Sequence, residues 1–180
     1  MIILTAGHTG PNSGAQCATT QFDEGAENIW LRNRIAEILT NDYGLVVLVD
    51  EDKATLQLVK KRIELDAPHI DFVIDLHFNA HTNPNARGTE AIVANDATKL
   101  ELRFASRLAH TTSDALDIPL RCIKSESQTP HRRLGMLHLT PQSIILEVCF
   151  CTSPEDVEAY RNNREKLAAE LAWAIAELIE

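Results

Sequence analysis

The stretch Asp71-Phe72-Val73-Ile74-Asp75-Leu76-His77-Phe78-Asn79-Ala80 decides how the chain is read. Five of its first eight residues are apolar, and β-branched Val73 and Ile74 lie in its middle. A run of this kind suits a strand buried on both faces, as parallel strands are. His77 arrives at the carboxyl end, just before the polar run from His81 to Asn85. In open α/β sheets, ligands sit in the crevice beyond the carboxyl ends of the strands. Two other short apolar runs end the same way, Ile2 to Gly7 in His8 and Ser143 to Leu146 in Glu147. Three strands that each bring a metal- or proton-handling side chain to one edge point to an active site.

Outward from that stretch, strand and helix patterns alternate. Ile2 to Ala6 reads as a strand, and Gly7 to Gly14 as a loop rich in glycine and proline. Asp23 precedes a helical pattern with Ile29, Ile35, Ile38 and Leu39 on one face, expected to stop near Asn41 because Gly44 follows. Leu45 to Val49 is a second strand, and Ala54 to Leu65 a second helix with Leu56, Val59 and Ile63 on one side. After the central strand, Gly88 to Ala94 reads as a strand and Thr98 to Leu116 as a long helix. Asp117 to Thr140 is expected to be an irregular segment over the site, with room for a short strand. Ser143 to Phe150 is the last strand. Ser153-Pro154-Glu155-Asp156 is a helix start, with Ser as N-cap, Pro at the first position and acids in the first turn. The closing helix is expected over roughly Arg164 to Ile179. The alternation predicts a single α/β domain over residues 1–180, three-layered, with a mostly parallel twisted sheet and helices on both faces.

Composition narrows the partners. A chain of 180 residues suits one domain with a full core. Its net charge of −9 argues against a nucleic-acid partner, because a phosphate backbone rewards Lys and Arg. No apolar run approaches the ~20 residues of a membrane span, and the N-terminus does not read as an export signal. The chain is therefore expected to be made in the cytoplasm, without a membrane role. Cys17, Cys122, Cys149 and Cys151 show no Cys-x-x-Cys spacing and read as free thiols of a reducing compartment. Cys149 and Cys151, two apart on a strand, are expected to share a face. Oligomeric state is not legible.

Zinc takes neutral imidazole nitrogens and carboxylate oxygens, usually three from the protein in a catalytic site. His8 and His77 stand at two strand ends, and Glu24 lies at the start of the first helix, where the dipole favours a carboxylate. His69, His110 and His138 have no such context, and His81 is a reserve candidate. Glu147 lies inside the apolar strand Ile144 to Phe150, where a charge is costly unless paired or employed. A raised pKa would suit a general base, whereas a salt bridge to Arg132 or Arg133 would be the structural alternative.

The ordered set Ala6-Gly7-His8-Thr9-Gly10, Gly14-Ala15, Glu24, Leu76 to Ala80, Gly88-Thr89-Glu90 and Leu146 to Phe150 resembles the zinc-dependent N-acetylmuramoyl-L-alanine amidases of the Amidase_3 type. The resemblance runs from Ile3 to about Tyr160. It implies a peptidoglycan hydrolase that cuts the amide between N-acetylmuramic acid and the L-alanine of the peptide stem. The family's metal ligands, a His in a Gly-His-Gly-Gly loop, a Glu at the first helix and a His in a Ser-Ile-His-Ala-Asn-Ala-like stretch, carry over to His8, Glu24 and His77. Its catalytic Glu carries over to Glu147, and the implied cofactor is Zn2+. Thr9 replaces the loop's second glycine, and Cys149 stands where a glycine is usual; both could reshape the cleft. Glu27, three residues on, competes with Glu24, but helix register favours Glu24. Glu90 and Arg132 or Arg133 are positional candidates for holding the stem. The family's autoregulated members carry an extra helix across the cleft, and no insertion here has the length for one. Shortness and the missing export signal look endolysin-like, a phage or prophage enzyme reaching the wall after release or export by another factor. Another zinc amidase or peptidase of this fold, or a non-catalytic wall-binding homologue, are the alternatives.

Overall fold

In chain order the elements are strand β1 (Ile2–Ala6), a hairpin of β2 (Gln16–Cys17) and β3 (Phe22–Asp23), helix α1 (Glu24–Tyr43), β4 (Val47–Val49), α2 (Leu56–Asp66), β5 (Phe72–Asn79), β6 (Thr89–Val93), α3 (Lys99–Leu116), β7 (Leu120–Ser125), β8 (Ser143–Phe150) and α4 (Pro154–Ile179). The computed structural model describes residues 1–9, 14–17, 20–52, 54–83, 85–139 and 142–179. Six strands form one sheet in the order β4-β1-β5-β8-β6-β7. Neighbours run parallel except β6 and β8, which are antiparallel. The expected single α/β domain with a mostly parallel sheet and helices on both sides is what the chain forms.

The two faces are covered unequally. On one, α1, α3 and α4 bury a large core around Leu4, Ile74, Leu76, Ile144 and Leu146. Phe72 stacks on Phe104 of α3 with ring centroids 3.8 Å apart. On the other face, Val59 and Ile63 of α2 cover Ile3 and Val73, while Leu134 and Leu137 cover Ile92 and Ile145. Strand side chains alternate between faces. Thr5, Asp75 and His77 therefore share the thinly covered face with Ile3 and Val73, and Glu147 shares it with Ile145.

Capping explains several boundaries. Asp23 caps α1 by accepting from Ala26 N at 3.1 Å, as its position before the apolar pattern implies. The helix runs two residues past the expected Asn41, to Tyr43, where Gly44 closes it in the left-handed conformation at φ 65°. Thr98 and Glu101 close a capping box at α3, and Glu101 Oε1 also accepts from Ser143 N at 3.2 Å, tying that helix to the start of β8.

The sequence reading differs from the structure in three places. Ser153 starts one continuous 26-residue helix rather than a short helix followed by a closing one. The polar run Arg161 to Arg164 masks continuity that packing against α1 and α3 supplies. The segment Asp117 to Leu139, expected to be irregular with room for a short strand, holds a six-residue edge strand, β7, whose half-exposed residues leave its bounds unmarked. The cysteines are not all free: Cys17 and Cys151 form a disulfide with Cα atoms 6.1 Å apart, leaving Cys122 and Cys149 as thiols. Cys149 and Cys151 bury into the same core, although Cys151 lies in the turn after β8. Thiol titration of denatured, unreduced protein is expected to count two free thiols; four would remove the bridge.

Candidate active site

The carboxyl ends of β1, β5 and β8 lie side by side. Beyond β1, Gly7 N donates to Leu76 O at 2.8 Å, so the departing loop stays against β5. A side chain at Gly7 would collide with the ring of His77, so only glycine lets the loop pass. His8 then takes a left-handed backbone at φ 58°, uncommon for a non-glycine residue and frequent at functional sites. Gly14 at φ 80° passes behind both; a Cβ there would stand 2.6 Å from Glu24 Oε2 and 2.7 Å from His8 Cβ.

Glu24 opens α1 and is 3% exposed. Its Oε2 accepts from Ala15 N at 2.6 Å and its Oε1 from Phe78 N at 3.1 Å. Oε1 also faces His77 Nδ1 at 3.4 Å. The rings of His8 and His77 stand edge to face with centroids 5.0 Å apart. One ligand atom from each of His8, Glu24 and His77 lies within 4.8 Å of the others. Two imidazoles and a carboxylate converging on a point are the donor set zinc accepts. These residues fit a divalent metal.

The charges there respond to one another. Burial pushes Glu24 up, but the hydrogen bond and charge of His77 and the bond from Ala15 leave its carboxyl below the usual range. Burial lowers His77, yet Asp75 and Glu24 together hold it well above its ordinary value. Glu147 pairs with His77 across the sheet. The residue is half-buried, but its Oε2 is sealed from solvent and has no hydrogen-bond partner. Loss of hydration, reinforced by Glu24 and Glu90 and opposed by His77, raises its carboxyl to about 7.

The other candidates lie elsewhere or have other work. Glu27 faces Arg164 at 3.2 Å, away from the two histidines. The exposed His81 accepts from Asn83 N through its ring, and His138 pairs with Glu126 at 2.8 Å. Glu90 lies opposite Glu147 but is engaged by Asn79, by Lys124 at 3.0 Å and by Arg121 at 3.7 Å. Arg132 and Arg133 are exposed, and the unpartnered Oε2 of Glu147 rules out a salt bridge of that oxygen to either. Between Glu147 and Phe150 the β8 pairing slips by one residue, a bulge that turns Cys149 into the main core. Cys149 is therefore core rather than cleft. Gly10 of the loop motif lies outside the described residues.

Three contributors escaped the sequence reading. Asn28 is fully buried and donates to Gly7 O at 2.9 Å, holding the His8 loop. Gly25 lets α1 begin directly beneath His8 O; a glycine in a helix's first turn was the available signal. Asp75, two residues before His77, accepts from its ring at 3.1 Å.

The profile of the N-acetylmuramoyl-L-alanine amidase family, Amidase_3, matches residues 2–180. The chain belongs to this family. Similar solved structures include an N-acetylmuramoyl-L-alanine amidase from Clostridium difficile 630, 23% identical over 99% of this chain and 93% of that one, with a TM-score of 0.78. The catalytic domain of the CD27L endolysin targeting Clostridia difficile is 21% identical over 98% and 96%, TM-score 0.75. AmiC2 of Nostoc punctiforme, an N-acetylmuramoyl-L-alanine amidase, is 19% identical over 99% and 93%, TM-score 0.75. A sequence comparison with curated proteins found no match.

In this Amidase_3 chain the state of Glu147 has a thermodynamic consequence. Its folded value of about 7 lies above the ordinary 4.5 of a free carboxyl, so folding prefers the protonated form. That contribution is present below about 4.5 and is lost as pH rises through about 7. Metal-free Glu147→Gln is expected to be more stable than wild type at pH 8, by on the order of 3 kcal/mol, and equal to it at pH 4. Urea midpoints at the two pH values check this; a variant less stable at pH 8 contradicts it.

Proposed function

We propose that the protein is a zinc-dependent N-acetylmuramoyl-L-alanine amidase, hydrolysing the amide between N-acetylmuramic acid and the L-alanine of the peptidoglycan stem. The observation that carries this reading is the convergence of one ligand atom each from His8, Glu24 and His77 within 4.8 Å, with Glu147 on the strand next to His77. A structural carboxylate would be paired; one left unpaired near neutrality suits proton transfer. His8, Glu24 and His77 would hold the ion. When bound, zinc lowers the pKa of a coordinated water to about 7 and polarises the scissile carbonyl. Glu147 takes the proton from the attacking water and returns it to the leaving amine. Glu24 is held by Ala15 N and Phe78 N, so it does not swing towards that proton. The loop glycines bring His8 close without a competing side chain. No described helix is long and apolar enough to cross a membrane. The protein acts as an endolysin-like enzyme that reaches the bacterial wall after release or export by another factor. The test is lysis of bacteria on co-expression with a membrane-permeabilising protein.

Chelation is expected to abolish wall hydrolysis and zinc to restore it. Mass spectrometry of the digest should show intact stem peptides freed from intact glycan. Cleavage within the stem would instead indicate a peptidase, and binding without cleavage a wall-binding homologue. Glu147→Gln should keep its zinc and lose about 10²–10⁴-fold in turnover. Glu24→Ala should lose zinc, whereas Glu27→Ala should retain it; the reverse in a metal-content assay moves the third ligand.

Activity should also fall on the acid side as Glu147 is protonated. The metal-free carboxyl lies at about 7, and a neighbouring cation favours its charged form, so the acid limb of kcat is expected at or below about pH 7. Retention of that limb in Glu147→Gln would assign it to another group.

A further inference from the structure

Asp75 is a carboxylate 4% exposed in the middle of the sheet, on the face that carries His77. Parallel pairing sets it opposite Thr5 of β1, whose Oγ1 donates to Asp75 Oδ1 at 2.6 Å. Its other oxygen, Oδ2, lies 3.1 Å from His77 Nε2. Among the described residues no Lys or Arg forms a salt bridge with it. A carboxylate removed from water and met only by a hydroxyl and an imidazole is costly to keep. That cost is offset when the imidazole's N–H is polarised by a positive charge on its other side.

The two ring nitrogens of His77 have separate neighbours. Nε2 points at Asp75, while Nδ1 points at Glu24 Oε1 and the cluster formed with His8. With Asp75 as acceptor, the neutral ring carries its proton on Nε2 and presents a bare lone pair at Nδ1. We infer that Asp75, clamped by Thr5, is a positioning residue that fixes the tautomer and orientation of His77 for binding a divalent cation through Nδ1. The inference rests on the proposed metal site. Carboxylates that accept from a metal-bound histidine raise the ligand's basicity and hold its ring. Thr5 matters because it occupies Oδ1 and leaves Oδ2 aimed at the ring. The sequence places this pair two residues apart on a strand, the shortest spacing that puts both side chains on one face.

The test reads metal affinity rather than hydrolysis. Zinc dissociation constants, measured by competition with a chromophoric chelator, should rise about 10–100-fold in Asp75→Ala. Asp75→Asn keeps the shape and an acceptor oxygen but loses the charge, so a smaller rise is expected, with secondary structure unchanged. In zinc-loaded wild type, a ¹⁵N–¹H spectrum of His77 should show the proton on Nε2. The His77→Gln spectrum assigns that signal. If Asp75→Asn folds and both variants bind zinc as tightly as wild type, the inference is overturned while the zinc site stands. A proton on Nδ1 in the loaded protein overturns it equally. A wild type that binds no zinc overturns the metal reading and this inference together. If Asp75→Ala does not fold, the Asp75→Asn affinity and the wild-type spectrum decide alone.

Discussion

Registered parallel pairing is the constraint from which the site follows. When neighbouring parallel strands are in register, residues of matching parity lie on the same face in rows across the sheet. Here Thr5, Asp75 and Ile145 form one row across β1, β5 and β8, and the next row towards the carboxyl edge pairs His77 with Glu147. Residues some seventy positions apart are thereby brought within reach of one carboxylate, Glu24, at the start of α1. The loop then has to fit: Gly7 clears the His77 ring, His8 adopts a left-handed backbone, and Gly14 passes behind. Each is a local cost that the strand register imposes.

Buried carboxylates give a way to tell support from chemistry. Asp156 is fully buried and accepts from Gly88 N at 2.7 Å, Phe150 N at 3.2 Å and Arg87 at 3.1 Å. It binds the first turn of α4 to the strand ends. Asp50 accepts from Arg32 at 2.7 Å and from Ala6 N at 3.0 Å, fixing the end of β1. Both have the partners that removal from water demands. Glu147 differs in having one oxygen sealed and unpartnered. In a chain that satisfies its other deep carboxylates, that exception is informative.

Much of this was readable in the sequence because the informative signals are local. The bounds of β1 and β8 come from mostly apolar runs, and Asp23 marks the start of α1 by its place before the apolar pattern. The convergence of His8, Glu24 and His77 came from motif order, because periodicity does not report distance between strands. What stayed hidden was tertiary. β7 is an edge strand with half-exposed residues, so its bounds could not be read, only that a short strand had room there. The Cys17–Cys151 bridge joins residues 134 apart, a pairing that spacing does not encode. The bulge after Glu147 appears only when β8 is laid against β5. Asp75 reads as a polar interruption of an apolar strand until its two partners are seen.

The electrostatics of the face then order the parts. Asp75, Glu147 and Glu90 lie on the adjacent strands β5, β8 and β6, and Glu24 opens α1 against β5. Glu90 is met by Lys124 and Arg121. Glu24 and Asp75 take opposite sides of one imidazole, and both raise the affinity of His77 for positive charge. Whatever cation sits at Nδ1, proton or metal, is therefore favoured by the same two carboxylates. A proton satisfies one nitrogen, whereas a divalent ion held as proposed would also engage His8 and Glu24. Competition between the two depends on geometry more than on charge, and the loop glycines, the αL backbone of His8 and the two backbone N–H groups on Glu24 build that geometry before any ligand arrives.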